Sequence, residues 1–294
     1  MAAPSEASAH ALLAAAEAAR RAGVEVADLD DVAELHQVAE LFIEIWQTSV
    51  QQAPCTPQLL RALAHSGNYV AGARLEGRIV GGAVAFLQRD RDGLALHSHI
   101  TGVSAAAQGR SVGFALKQHQ RAWALARGIP RVNWTFDPLV RRNAWFNLVK
   151  LGAEGVEYLP DFYGRMADGI NAGDETDRCL VSWRLESDRA VAAAEGRAAT
   201  PSLEALRAAG ATVVLAEGRD GRPAESEPAD RASTLLAWVP QDVVALRASD
   251  PALALQWRRA LRTTMGSAMR RGFVAAGMTR SGWYLLERSR REVT

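Results

Sequence analysis

The stretch Val103-Ser-Ala-Ala-Ala-Gln-Gly-Arg-Ser-Val-Gly-Phe-Ala-Leu-Lys117 constrains this chain more than any other segment. It leaves an apolar strand, turns through small residues and opens an amphipathic helix. With so few large side chains, backbone N–H groups can point into open space at the helix N-terminus. The positive end of the helix dipole adds to them, so the turn predicts a cradle for a pyrophosphate. Gln108, Gly109, Arg110, Ser111, Val112 and Gly113 form it. Arg110 can pair with a phosphate or stand as a solvated charge, and the Ser111 hydroxyl adds a donor.

The flanking pattern places this turn in a mixed sheet. Residues 1–22 read as an Ala-rich helical extension, loosely docked, and Val24–Leu29 as a half-buried strand. Asp30 and Asp31 cap a helix with Val32, Leu35, Val38, Leu41, Phe42, Ile45 and Trp46 at helical spacing. Thr56-Pro57 starts another helix. Tyr69–Leu75, Arg78–Gln88 and Leu94–Val103 form an antiparallel meander turning at Glu76-Gly77 and 89–93. After the cradle helix come a strand at Arg131–Phe136, a helix at Arg141–Leu151, and strands at Glu154–Leu159 and Arg178–Leu185. Further on, a strand is expected at Thr212–Ala216, another at Thr234–Val239, a helix at Pro251–Arg270 and a closing hairpin over 273–287. The fold class is α+β, with boundaries at 1–22, 23–186 and 187–294.

Composition narrows the function classes. Lys+Arg 34 against Asp+Glu 33 leaves a net charge of +1 and no basic excess for nucleic acid. No apolar run approaches the roughly 18 residues of a membrane helix. Cys55 and Cys179 are far apart, with no metal-ligand spacing, and read as reduced thiols of a cytoplasmic protein.

Gln108-Gly-Arg-Ser-Val-Gly113 resembles the Gln/Arg-x-x-Gly-x-Gly/Ala signature of the GNAT acyltransferases, with Ser111 in place of the first glycine. The element order resembles that family too. Leu96-His-Ser-His-Ile-Thr-Gly-Val103, Asn133-Trp-Thr-Phe-Asp-Pro-Leu139 and Lys150-Leu-Gly-Ala153 are similar to one of its subgroups, as are Asp250–Arg258 and Gly282–Arg288. The resemblance implies binding of acetyl-coenzyme A or another acyl-coenzyme A and transfer of the acyl group, acetyl or succinyl, to an amine; no metal is expected, because His97 and His99 have no third ligand. It implies that the backbone of Thr101, Gly102 and Val103 holds the pantetheine arm. Asn143 lies two residues from Arg141, which occupies a position where the family often has an asparagine near the coenzyme. Leu148 falls where a tyrosine often protonates the departing thiolate, so that acid is missing from its usual place.

Acyl transfer to an amine needs a base, a polarised carbonyl and often a proton for the leaving thiolate. His97 and His99 lie two apart on one strand, hence on one face, and His99 is the better candidate base. Both could instead be hydrogen-bonded sheet residues. Asp137, at a strand C-terminal end, is a second catalytic candidate or else a turn-capping carboxylate. Tyr163, and less so Tyr158, are candidates for the missing proton donor. Asp168, Asn171 and Arg178 could clamp an amino-acid substrate, Arg178 through its planar fork, or could bond their own loop. No cysteine is placed as a nucleophile, so transfer is direct in a ternary complex. The acceptor is expected to be a small-molecule amine. A coenzyme-binding sensor, or another coenzyme A thioester reaction, is the alternative. The region after 186 is left to complete the sheet, line the acceptor pocket or form a homodimer contact.

Overall fold

A computed structural model describes residues 5–90, 92–164, 174–227 and 232–289. In chain order the first elements are α1 (Glu6–Ala22), β1 (Glu25–Asp28), α2 (Val32–Trp46), α3 (Pro57–His65), β2 (Tyr69–Leu75), β3 (Arg78–Asp90), β4 (Gly93–Val103), α4 (Val112–Leu125) and β5 (Arg131–Phe136). Next come α5 (Arg141–Trp145), β6 (Glu154–Leu159), β7 (Arg178–Arg184), α6 (Asp188–Ala194), α7 (Leu203–Ala208), β8 (Thr212–Glu217) and β9 (Pro223–Glu225). The chain closes with β10 (Thr234–Trp238), α8 (Val243–Ser249), α9 (Pro251–Leu261), α10 (Ser267–Arg270), β11 (Phe273–Met278) and β12 (Trp283–Arg288).

Two compact units emerge, and their border is not the expected one at 186. One holds the described residues up to Trp134 with Arg184–Glu195; the other holds those from Thr135 to Trp183 and from Gly196 on. The reason is strand pairing across sequence. Ala275 of β11 sits opposite Gly155 of β6, so the C-terminal strands extend the sheet begun by β6 and β7. A Cβ on Gly155 would come 2.7 Å from Cys179 Sγ and 3.0 Å from Ala275 Cβ, so only glycine fits there.

In the first unit the strand order is β1-β2-β3-β4-β5, antiparallel except for the parallel β4–β5 pair. Helix α2 presents Leu35, Val38, Ala39 and Phe42 to the sheet, where they join Leu29, Leu60, Val70, Val84 and Ile100 in one core. Asp31 caps α2 by accepting from Ala33 and Glu34 N–H, as its sequence position predicts. Helix α1 is not loosely docked. Its buried stripe Ser8, Ala11, Ala15, Ala18, Ala22 repeats every three to four residues, and Ala11 and Ala15 pack on Ala122 of α4.

The second unit has the strand order β7-β6-β11-β12-β10-β8-β9. Leu236, Trp283 and Leu285 form a core there with Leu203, Leu206, Val213 and Trp238 around it. Both long helices expected in this unit are interrupted. A π-turn at Phe146–Lys150 follows α5, and another at Arg262–Gly266 separates α9 from α10. Helix α8, with Asp242 as its cap, is only seven residues long, too short for its apolar spacing to stand out in the sequence.

Candidate functional site

The sheet of the first unit opens where a ligand arm would need it. Strands β4 and β5 pair only at Leu96↔Val132 and His97↔Asn133, while β4 continues to Val103 along β3. Beyond His97 the other edge of β4 therefore presents unpaired backbone groups, a ready partner for an extended amide-bearing chain. Thr101 Oγ1 on this segment is buried without a hydrogen-bond partner. Gly102 is held by packing: a Cβ there would lie 2.8 Å from both Ile45 and Trp46 of α2.

At the end of β4 a short 3-10 turn, Ala105–Ala107, leads into the exposed residues Gln108, Gly109, Arg110 and Ser111. Gly109 has φ +81°, and Ser111 is left-handed at φ +64°. That explains why a glycine suits the Ser111 position. Ser111 occupies the N-cap of α4, yet its side chain makes no capping bond. The first-turn donors at Val112 and Gly113 thus keep the orphan character that suits an anion. At Gly113 a Cβ would meet nothing closer than Val103 Cγ2 at 3.8 Å, so the fold does not require glycine there. The guanidinium of Arg110 lies beside the Gly23 turn that ends α1. Ser111→Gly is expected to raise the unfolding free energy by about 1 kcal/mol, by removing left-handed strain, with coenzyme A affinity kept. Thermal melting and a binding titration check both halves.

The two histidines share a face as expected, with an added device. Val84 pairs with Ile100 and Ala85 with Ser98, so His99 is the extra residue of a β-bulge. The bulge leaves His99 exposed and His97 half-buried, and the Phe86 ring lies 5.0 Å from His97 and 5.8 Å from His99. Burial lowers the pKa of both imidazoles, and for His97 the neighbouring His99 and Lys117 add to it.

Lys117 was missed by the sequence reading. It is buried on α4, and its Nζ donates to Ser98 Oγ at 2.8 Å and Gln120 Oε1 at 3.0 Å. The Trp134 ring centroid is 4.1 Å from the same nitrogen. Sequence periodicity could not flag it, because a lysine at helical spacing reads as solvated, and only the packing of α4 on β4 and β5 encloses this one.

In the second unit Asp137, by its sequence position a catalytic candidate or a turn-capping carboxylate, stands in an ion-pair network. Arg258, fully buried, donates to Asp137 Oδ1 at 3.1 Å and Oδ2 at 2.9 Å, and to Asp174 at 2.8 and 3.0 Å. Arg247 bridges the same two carboxylates at 2.5 and 2.7 Å. Burial pushes the Asp137 carboxyl up, but Arg258 and Arg247 outweigh it and hold it below the usual range. Its Oδ1 also accepts from Leu139 N–H, the turn role weighed in the sequence. Asp177 is a second anchor: it accepts from Tyr158 Oη at 2.7 Å and from Arg262 at 2.5 and 2.9 Å. Tyr158, buried and raised well above its ordinary value, thereby keeps its proton.

Tyr163 is exposed, with Oη 3.3 Å from Thr135 Oγ1 and its ring 5.2 Å from the Arg178 guanidinium. Arg178 itself is buried and donates to the Asp177 carbonyl, so its fork is not open to solvent. Asn143 is exposed in the first turn of α5, whereas Leu148 is buried. Asp168 and Asn171 lie outside the described residues. Cys179 is fully buried, and burial pushes its thiol up. Among the described residues no group of His, Cys, Asp and Glu could hold a metal, and no helix is long and apolar enough to cross a membrane.

The first unit thus combines a parted parallel strand pair, an open β4 edge and an α4 N-terminus without a side-chain cap. Residues 29–152 match the model of the acetyltransferase (GNAT) family, and this part of the chain is a GNAT acetyltransferase domain. Among solved structures the chain is similar to an acetyltransferase of the GNAT family from Streptococcus pneumoniae, at 12% identity over 54% of this chain and 98% of that one, TM-score 0.45. It is also similar to an N-acetyltransferase from Staphylococcus aureus, at 14% identity, 55% and 99% coverage and TM-score 0.44. A third is yncA from Salmonella typhimurium with acetyl-CoA, at 17% identity, 56% and 95% coverage and TM-score 0.45. No curated protein matches the sequence.

Proposed function

We propose that the enzyme moves an acetyl or succinyl group from coenzyme A directly to the primary amine of a small molecule such as an amino acid. The observation that carries this reading is the open edge of β4 from the bulged His99 to Val103, which a short turn links to the non-capping Ser111. The pyrophosphate sits on the N–H groups of Val112 and Gly113, and the pantetheine arm adds to β4 through Thr101–Val103. His99, projected by the bulge, removes the proton that the attacking nitrogen must lose.

The test is thiol release from acetyl- and succinyl-coenzyme A against a panel of amino acids and polyamines. Release with an amine, and the matching amide product, supports the reading; release without an amide would make the enzyme a thioester hydrolase instead. The pH profile adds a signed prediction. A general base works in its neutral form, and His99 is held below the ordinary histidine value of about 6.5. With kcat/KM expressed per neutral amine, so that the acceptor's own ionisation is divided out, the acid limb is therefore expected below that value, with full base function at neutral pH. An acid limb above it would remove His99 from the role.

A further inference from the structure

Lys117 stands at the apex of the open strand pair. Ser98 and Trp134, its partners on β4 and β5, are the first residues past the last pair, His97↔Asn133. The third partner is the Gln120 carboxamide. None of these carries a compensating negative charge, and of the described titratable groups His97 is the one whose field it shares. Burying an ammonium among neutral partners disfavours its charged form. Burial lowers the Lys117 pKa from the usual lysine range to about 7. For packing alone a methionine or leucine would serve this position better, so the cation calls for a chemical reason.

The β4 backbone runs from the cradle turn back to Ser98, which accepts from this nitrogen. Along β4, Val103 to Ser98 spans roughly 17 Å, the reach of an extended arm, and along α4 Val112 to Lys117 rises roughly 7.5 Å. Both routes join the anion cradle to the apex. Leu148, which by resemblance occupies the place of the usual acid, is buried and has no proton to give.

We propose that Lys117 is the proton donor to the departing coenzyme A thiolate. This rests on the acyl-transfer reading above. The amine nitrogen bonds to the carbonyl carbon and gives its proton to His99; the C–S bond breaks, its electron pair stays on sulfur, and sulfur takes a proton from the Lys117 ammonium. Neutral Lys117 and protonated His99 then exchange one proton with solvent, so the cycle balances.

The experiment compares acetyl-coenzyme A with acetyl-seleno-coenzyme A, whose selenolate leaves without a proton. The acceptor is whichever amino acid or linear polyamine gives the fastest release in the unmodified enzyme. With the thioester, Lys117→Met and Lys117→Arg are expected to lose about 100-fold or more in kcat, at unchanged coenzyme A affinity. Arginine keeps a cation for Ser98 and Gln120 but holds its proton. With the selenoester the loss should largely vanish. Equal loss on both esters, or no loss, overturns the proposal. Should the variants not fold, the unmodified enzyme still decides: its alkaline rate limb must appear with the thioester and be absent with the selenoester. No release by the unmodified enzyme from either ester would instead sink the acyl-transfer reading itself.

Discussion

Replacing Arg258 by methionine is expected to lower the unfolding free energy by about 3 kcal/mol, enough to drop the melting temperature by several degrees. Arg258 has no exposed surface and holds Asp137 and Asp174 at once. Removing it leaves two buried carboxylates to share Arg247 alone. The loss comes from the stranded negative charge more than from the missing attraction. A quadruple change that also makes Asp137, Asp174 and Arg247 neutral and apolar should therefore recover much of the stability. The sign with pH follows from Asp137. Its carboxyl is depressed in the folded state, so its contribution is complete above the unfolded value of about 3.9 and fades as pH falls through the lower, folded value. The Arg258→Met protein should accordingly lose less stability between neutral pH and pH 3 than the unmodified protein does. Denaturant titrations at the two pH values measure this, and an unchanged midpoint at neutral pH would refute the assignment.

The second large effect is expected on binding, with stability unharmed. Gly113→Trp should weaken coenzyme A binding at least a hundredfold, about 2.7 kcal/mol or more. The indole would fill the space before the first-turn N–H groups, where the pyrophosphate is read to sit. The fold tolerates a Cβ there, with Val103 Cγ2 at 3.8 Å, and a helical glycine is worth up to about 1 kcal/mol less than alanine. Melting temperature should therefore hold or rise while calorimetric binding is lost. Unchanged affinity would place the coenzyme somewhere other than the α4 N-terminus.

Much of the fold was legible in local pattern. The meander, the cradle turn, the caps at Asp31 and Thr56 and the closing hairpin all follow from alternation, glycine positions and short polar side chains. The two interrupted helices were not legible, since a π-turn leaves the apolar spacing nearly intact. Nor was the bulge at His99, because a one-residue slip depends on the pairing of β3 with β4.

The sequence by itself determined the turn proposed to hold the coenzyme, since a run of small residues between strand and helix acts through local backbone geometry. The tertiary structure alone decided which polar groups are free to react. Asp137 and Lys117 look alike in sequence, a charged residue beside apolar ones. Long-range packing gave Asp137 two guanidiniums from α8 and α9, which fix its charge, and gave Lys117 neutral partners, which loosen its proton. A charge's neighbours across tens of residues set its chemistry, and a local pattern does not contain them.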